Sequence, residues 1–250
     1  MEGIRTALAR EGVDYNQADV AKLVVDSSDM GSVRDAAQEA LDRFPVVNGL
    51  VLSVGALVQG GPTLVAGGHE LMFATNVMGP FLFTELLLPR LEASDGLVVH
   101  VVAPFHEPMD WDDIESMRRH RSMRAFNRTK TCNRAMAGEL ARRYGGRICS
   151  VAYDPAFVID KTDPDLKKRW PKGFTGIFWR TMTVLFAKPP SVAGEPLADL
   201  IVSGPDRSLI NGGMFKLDRR IEKPDEAMND VDLGRRLWDE LAARTGLVTA

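Results

Sequence analysis

Val47-Asn-Gly-Leu-Val-Leu-Ser-Val-Gly-Ala56 is apolar along most of its length. Alternating apolar and polar residues would mark a strand with one wet face. An unbroken apolar run marks a strand covered on both faces, the habit of parallel sheets. Leu97–Val102 and Arg147–Tyr153 read the same way, and a shorter strand is expected near 212–217. Helical patterns lie between and after them. One runs from Val33 to about Arg43 with Ser32 as its N-cap, and one from about Gly68 to Leu91 with a kink at Pro80. Others span about 121–144, 174–187, 191–203 and 229–244. Upstream, residues 3–11 read as a helix end closed by Gly12, and Ala18–Val25 as a further strand leading to Asp26. Strands alternating with helices imply an α/β fold with a doubly wound parallel sheet, one domain over residues 1–250.

Bulk composition narrows the function. Apolar content of 45% and charged content of 26% are those of a globular chain with a sizeable core. A net charge of −3 leaves no electrostatic footprint for nucleic acid. Cys132 and Cys149 are the only cysteines and read as reduced thiols, which points to a cytoplasmic setting. The opening Met1-Glu-Gly-Ile-Arg does not read as a signal peptide. Phe174–Ala187, interrupted by Arg180, is too short to span a bilayer, so no integral membrane segment is expected.

Arg124-Ala-Phe-Asn-Arg-Thr-Lys130 places Phe126 and Lys130 four residues apart on one helical face. Here the chain resembles the short-chain dehydrogenase/reductase superfamily, and within it the retinol-dehydrogenase-like branch, which carries Tyr-x-x-x-Lys at that spacing. Further motifs follow in the same order. Asp26 matches the acidic residue that such enzymes turn toward the adenine amine, with Ser27 beside it. Leu52-Ser53-Val54-Gly55 stands where the family has Asn-Asn-Ala-Gly. Phe73–Thr84 is similar to the helix bearing the active-site Asn, here Asn76, and His100–His106 to the strand end that carries Ser-Ser and then Ala-His. Asp154-Pro155-Ala-Phe-Val158 is similar to the Pro-Gly-x-Val element beside the nicotinamide, and Arg235-Arg-Leu-Trp238 to a segment near the C-terminus.

The resemblance implies a Rossmann-like fold, an NAD(P) site built by Asp26, Ser27, Ser53, Val54, Gly55, Lys130, Pro155 and Val158, and catalytic positions at Asn76, Ala103, Phe126 and Lys130. Two of those four are replaced: the family's Ser is Ala103 and its Tyr is Phe126. A general acid contributes about 10²–10⁴-fold to a rate and an oxyanion donor about 10²–10³-fold. Without both hydroxyls, hydride transfer lacks a proton source. By the family pattern the sequence also opens after the Gly-rich strand–turn–helix that cradles the pyrophosphate, so NAD(P) binding is expected to be weak or absent. Three arrangements would relieve the bared sheet edge: a start further upstream, Ala18–Val25 sliding across to pair with the 47–56 strand, or a partner chain filling the gap.

Other residues offer alternatives. His106, among Glu107, Asp110, Asp112, Asp113 and Glu115, either belongs to a solvated loop or has taken over acid/base work in a non-redox reaction. Lys130 is either a relic snorkelling to the pocket mouth or an amine of lowered pKa in a dry pocket. Tyr153 is a further candidate phenol. No His spacing suits a metal. Phe174, Phe178, Trp179 and Met182 form a stripe that either covers a hydrophobic ligand, within a lid of about 156–190, or packs into the core or a dimer surface. Three roles follow: a degenerate family member binding a hydrophobic small molecule, an oxidoreductase with a rearranged site, or a non-catalytic partner forming a homo- or hetero-dimer through helices 68–91 and 121–144.

Overall fold

The computed structural model describes residues 21–163, 166, 174–203 and 205–247. The expected helix at 3–11 and residues 18–20 of the expected first strand lie outside them. Four strands run parallel in chain order: β1 (Gly49–Leu52), β2 (Leu97–Val101), β3 (Cys149–Asp154) and β4 (Met214–Lys216). Val51 pairs with Val99 and Val99 with Val151, so the three apolar runs lie side by side, with β1 at one edge of the described sheet. β5 (Ile221–Glu222) is antiparallel at the far edge. The helices are α1 (Met30–Arg43), α2 (Leu71–Ala93), α3 (Ser122–Tyr144), α4 (Phe174–Phe186), α5 (Pro190–Ser203), α6 (Arg207–Ile210), α7 (Glu226–Asn229) and α8 (Val231–Thr245).

Successive β2 residues point to opposite faces. Val98 joins Phe73, Val77, Phe81, Leu140 and Trp238 in one core layer, while Leu97 and Val99 join Val151, Tyr153, Leu200 and Ile210 in the other. Both faces are thus covered, as the unbroken runs required. α3 lies against β3, α7 and α8, and from Arg128 to Ala141 it is buried on every side. Two glycines permit this packing. A Cβ on Gly79 of α2 would lie 2.1 Å from the Ser27 carbonyl oxygen, and one on Gly138 of α3 would lie 2.1 Å from that of Met228. α2 is the described helix long and apolar enough to cross a membrane, but most of it is buried inside the molecule.

The structure corrects several boundaries. Residues 21–25 form no strand, and Val24 is 78% exposed. Seating of the Ser27 carbonyl against Gly79 holds the end of this run on α2 rather than on the sheet, so pairing of this run with β1 is not seen. Asp29, not Ser32, caps α1: its carboxylate accepts from Gly31 N, while the Ser32 hydroxyl accepts from Asp26 N at 2.9 Å. β1 ends at Leu52 rather than Ala56, because both backbone groups of Ala56 are bonded to the Asn76 side chain instead of a strand. α2 starts at Leu71, where Glu70 accepts from Phe73 N, and the expected kink before Pro80 is a π-helical turn over Ala74–Met78. Of the stripe in α4, the side chains of Phe174, Phe178 and Trp179 lie outside the described set and Met182 is half-buried.

β2 also carries a polar residue into the interior. His100 is 3% exposed, and among the described residues neither ring nitrogen has a hydrogen-bond partner. Burial lowers its pKa to about 3. The folded state then takes up no proton between pH 6.5 and 3 where the unfolded chain does, so the titration of His100 lowers stability as pH falls through that window and contributes nothing above it. Replacing an unpaired buried polar group by an apolar one of similar size recovers about 1–3 kcal/mol. His100→Leu is therefore expected to raise the melting temperature at pH 7 and to widen its lead as pH falls from 6.5 to 4, measured by thermal denaturation across that range. A lower melting temperature for the variant would mean that the ring does have a partner.

Candidate active site

The π-helical turn in α2 sets the geometry. Pro80 has no N–H to give Asn76, and Gly79 N instead bonds Ala74 O, five residues back. Asn76 is thereby aimed inward and is fully buried. Its Oδ1 accepts from Ala56 N at 2.7 Å, and its Nδ2 donates to Ala56 O at 2.9 Å and to Thr129 Oγ1 at 3.1 Å. Thr129 in turn donates to Phe126 O. The carbonyl that Pro80 leaves unpaired faces the Asn133 amide, which with its nitrogen turned that way donates to Asn76 O at 3.0 Å and Thr129 O at 3.3 Å. Asn76 thus joins the loop after β1 to α3, and its side chain is fully committed to that task.

This brace brings Gly55, Phe126 and Lys130 together. Lys130 is 4% exposed, and its ammonium donates to Val101 O at 3.1 Å and lies 5.6 Å from the centre of the half-buried Phe126 ring. A Cβ on Gly55 would come within 3.4 Å of that Nζ and 4.0 Å of the ring. Desolvation lowers the Lys130 pKa to about 8. Of the two readings of this lysine, the dry amine is the one found, since the side chain is too deeply buried to be snorkelling. Ala103 follows β2, half-buried, and its carbonyl accepts from Arg134, which also pairs with Asp225.

The remaining expected cofactor residues lie along the same strand ends. Ser53, Val54 and Gly55 are exposed beyond β1. Asp26 is exposed, and its carboxylate accepts from the Ser28 hydroxyl at 2.7 Å and Ser28 N at 2.9 Å, bonds that lower its pKa. Pro155 and Val158 follow β3, with Val158 bridged to Lys188. Between them Ala156 takes φ +60°, a left-handed conformation, where the family pattern has glycine. Tyr153 is not available as a substitute phenol: it is 1% exposed and its hydroxyl donates to Ala193 O. His106 is exposed and lies elsewhere, on a cleft of about 510 Å³ with Trp111, Asp225 and Arg236, whose guanidinium stacks 4.1 Å over the Trp111 ring. Among the described residues no group of acids, histidines or cysteines could hold a metal.

No protein-family model matches the chain. It is 28% identical over 236 residues to a short-chain dehydrogenase/reductase of Armillaria gallica, covering 90% of this chain and 73% of that one. It is 27% identical over 244 residues to retinol dehydrogenase 14 of Homo sapiens, covering 95% and 71%. Its homologues are short-chain dehydrogenases/reductases. Solved structures of similar fold include a putative short-chain dehydrogenase/reductase from Burkholderia xenovorans (TM-score 0.63, 16% identity, 86% of this chain and 78% of that one). Another is the NADPH-bound carbonyl reductase from chicken fatty liver (TM-score 0.57, 12% identity, 89% and 82%).

Set against a short-chain dehydrogenase/reductase site, the described residues fit NAD(P) only in part. Gly55 lies close over Lys130, and Asp26 is exposed at the surface, positions that suit the nicotinamide-ribose and adenine ends. Among the described residues there is no glycine turn opening a helix to hold the pyrophosphate. The site as described is incomplete for the cofactor, and no reaction step is derived through it.

Residues that the sequence reading did not single out are Thr129, Asn133 and Arg134. With Phe126 and Lys130 they recur at helical spacing along one stripe of α3 (126, 129, 130, 133, 134), and that period was the available signal.

Asn76→Ala would leave both Ala56 groups and the Thr129 hydroxyl without their partner. A loss of about 2–4 kcal/mol is expected by chemical denaturation, whereas a residue serving only proton relay would leave stability unmoved. Lys130, with its folded pKa below 10.5, opposes folding below pH 8 and ceases to do so above pH 10.5. Lys130→Met is therefore expected to melt above the wild type at pH 7, with the gap closing between pH 8 and 10.5.

Proposed function

We propose that this chain is a short-chain dehydrogenase/reductase homologue that does not perform standard hydride transfer, and that the pocket at Gly55, Phe126 and Lys130 binds a hydrophobic small molecule. The observation that carries this reading is the Phe126 ring lying against the Lys130 ammonium where the family has a phenol. A phenol beside a buried lysine is a proton donor poised for a carbonyl oxygen; a phenyl ring is not. Ala103 removes the second hydroxyl, Tyr153 is committed to Ala193, and Asn76 is committed to Ala56. The Lys130 ammonium is the remaining acidic group described at this site, and it donates to Val101 O rather than through a phenol aimed at a substrate. The Phe126 ring adds apolar surface where the family has a phenol, and relatives named for retinol, a long apolar alcohol, support a hydrophobic ligand.

The runner-up reading, an NAD(P)-dependent oxidoreductase with a rearranged site, draws on the homologues themselves and on the NADPH-bound carbonyl reductase of similar fold. The third, a dimer partner pairing through α2 and α3, has less support, because α7 and α8 already cover α3 within one chain.

Calorimetry on residues 1–250 is expected to show no NADPH binding in the micromolar range, and no NADPH oxidation with ketones or aldehydes; micromolar binding would favour the oxidoreductase. The double variant Ala103→Ser with Phe126→Tyr separates the causes. Carbonyl reductase activity in that variant would mean that the cofactor site is intact and only the proton chemistry is gone.

A further inference from the structure

Lys130 is a buried nucleophile that a purely apolar ligand would leave unused. An ammonium has three N–H groups to place. Among the described residues one acceptor meets it, Val101 O at 3.1 Å, and no carboxylate pairs with its charge. The Phe126 ring, centred 5.6 Å away, returns less to a cation than burial of the charge costs. A neutral amine asks less of this site, since it has two N–H groups to place and carries a lone pair. Desolvation accordingly lowers the pKa to about 8. About a tenth of the amine is then neutral at pH 7, against on the order of one part in 10³ for an exposed lysine. The amine also lies just beneath the surface. Gly55 above it is exposed, with no side chain of its own, and Phe126 beside it is half-buried. Neither of these groups competes with the amine for an electrophile.

We propose that Lys130 captures a hydrophobic aldehyde as an imine, with the chain of the aldehyde against the Phe126 ring. This rests on the reading that the pocket takes a hydrophobic small molecule, and it names the reactive group of that molecule. The lone pair of Nζ adds to the carbonyl carbon, and one amine proton passes to the carbonyl oxygen to give a carbinolamine. The hydroxyl then leaves with the second amine proton as water, and the C=N bond forms. Nothing is oxidised or reduced, so the step calls on neither of the hydroxyls replaced at Ala103 and Phe126. A Cβ on Gly55 would lie only 3.4 Å from Nζ, and this close cover favours an aldehyde, with one chain on its carbonyl carbon, over a ketone, with two.

The test is reductive trapping on residues 1–250. The protein is incubated at pH 7 with decanal and sodium cyanoborohydride, and each lysine is followed by peptide mass spectrometry. Lys130 is expected to be alkylated about tenfold or more faster than the exposed Lys22, Lys161, Lys188 and Lys223. Acetaldehyde, which lacks the apolar chain, should lose most of that preference, and 1-decanol in excess should protect Lys130 from decanal. Gly55→Ala should slow the reaction at Lys130 alone. Alkylation of Lys130 no faster than of the exposed lysines overturns the proposal, as does equal preference with acetaldehyde. Calorimetry with 1-decanol reports on the pocket by itself. If 1-decanol binds while Lys130 is not alkylated, the imine fails and the hydrophobic pocket stands; if neither occurs, both readings fail.

Discussion

The bracket that Asn76 forms around Ala56 is the constraint on which the candidate site depends. Pro80 cannot donate, α2 widens into a π-helical turn, and Asn76 is turned inward to take both backbone groups of Ala56 and the hydroxyl of Thr129. The bond to Thr129 is buried and the two to Ala56 are partly so, where a broken bond costs more than a formed one returns. The loop beyond β1 therefore has one position, and Gly55 is held over Lys130 in it. What looks like an inherited catalytic asparagine does, in this chain, the work of a brace.

Much of the fold was readable because burial writes itself into composition. β2 and β3 are covered on both faces, so their apolar runs are unbroken, and the helices between the strands follow from right-handed parallel connections. The ends of elements were less readable. Ala18–Val25 has the composition of a strand, but composition cannot say whether a neighbour is present to pair with it, and residues 21–25 have none. Ser32 and Asp29 are equally good caps by chemistry; Asp29 is the one whose carboxylate reaches Gly31 N. Ala56 reads as strand until a side chain twenty residues away takes both of its hydrogen bonds.

Phe126 and Lys130 could be placed on one helix and Asn76 on another from the sequence, because spacing along a helix is a one-dimensional property. It could not separate the two states of Lys130, since these differ only in how much water reaches the amine. Nor could it see that Tyr153 is spent on Ala193, or that His106 faces a different cleft from Lys130. Those facts belong to tertiary packing, and no local pattern records them. Arg134 is a similar case: a charged residue inside a helix reads as surface until its partners, Ala103 and Asp225, are known.

α3 is enclosed on one side by β3 and on another by α7 and α8, so its inner residues have no route to solvent while the molecule is intact. The covering helices are encoded about 80 residues after the end of α3, beyond the last parallel strand. On the ribosome, β1, β2, α3 and β3 emerge first, with the charged groups of Arg128, Arg134 and Glu139 still wet and the Leu140 side chain uncovered. Only when residues 226–245 have been made can that surface close. The order of synthesis therefore leaves this protein dependent on its latest described segment for a finished core, and exposed to capture by other apolar chains until that segment arrives.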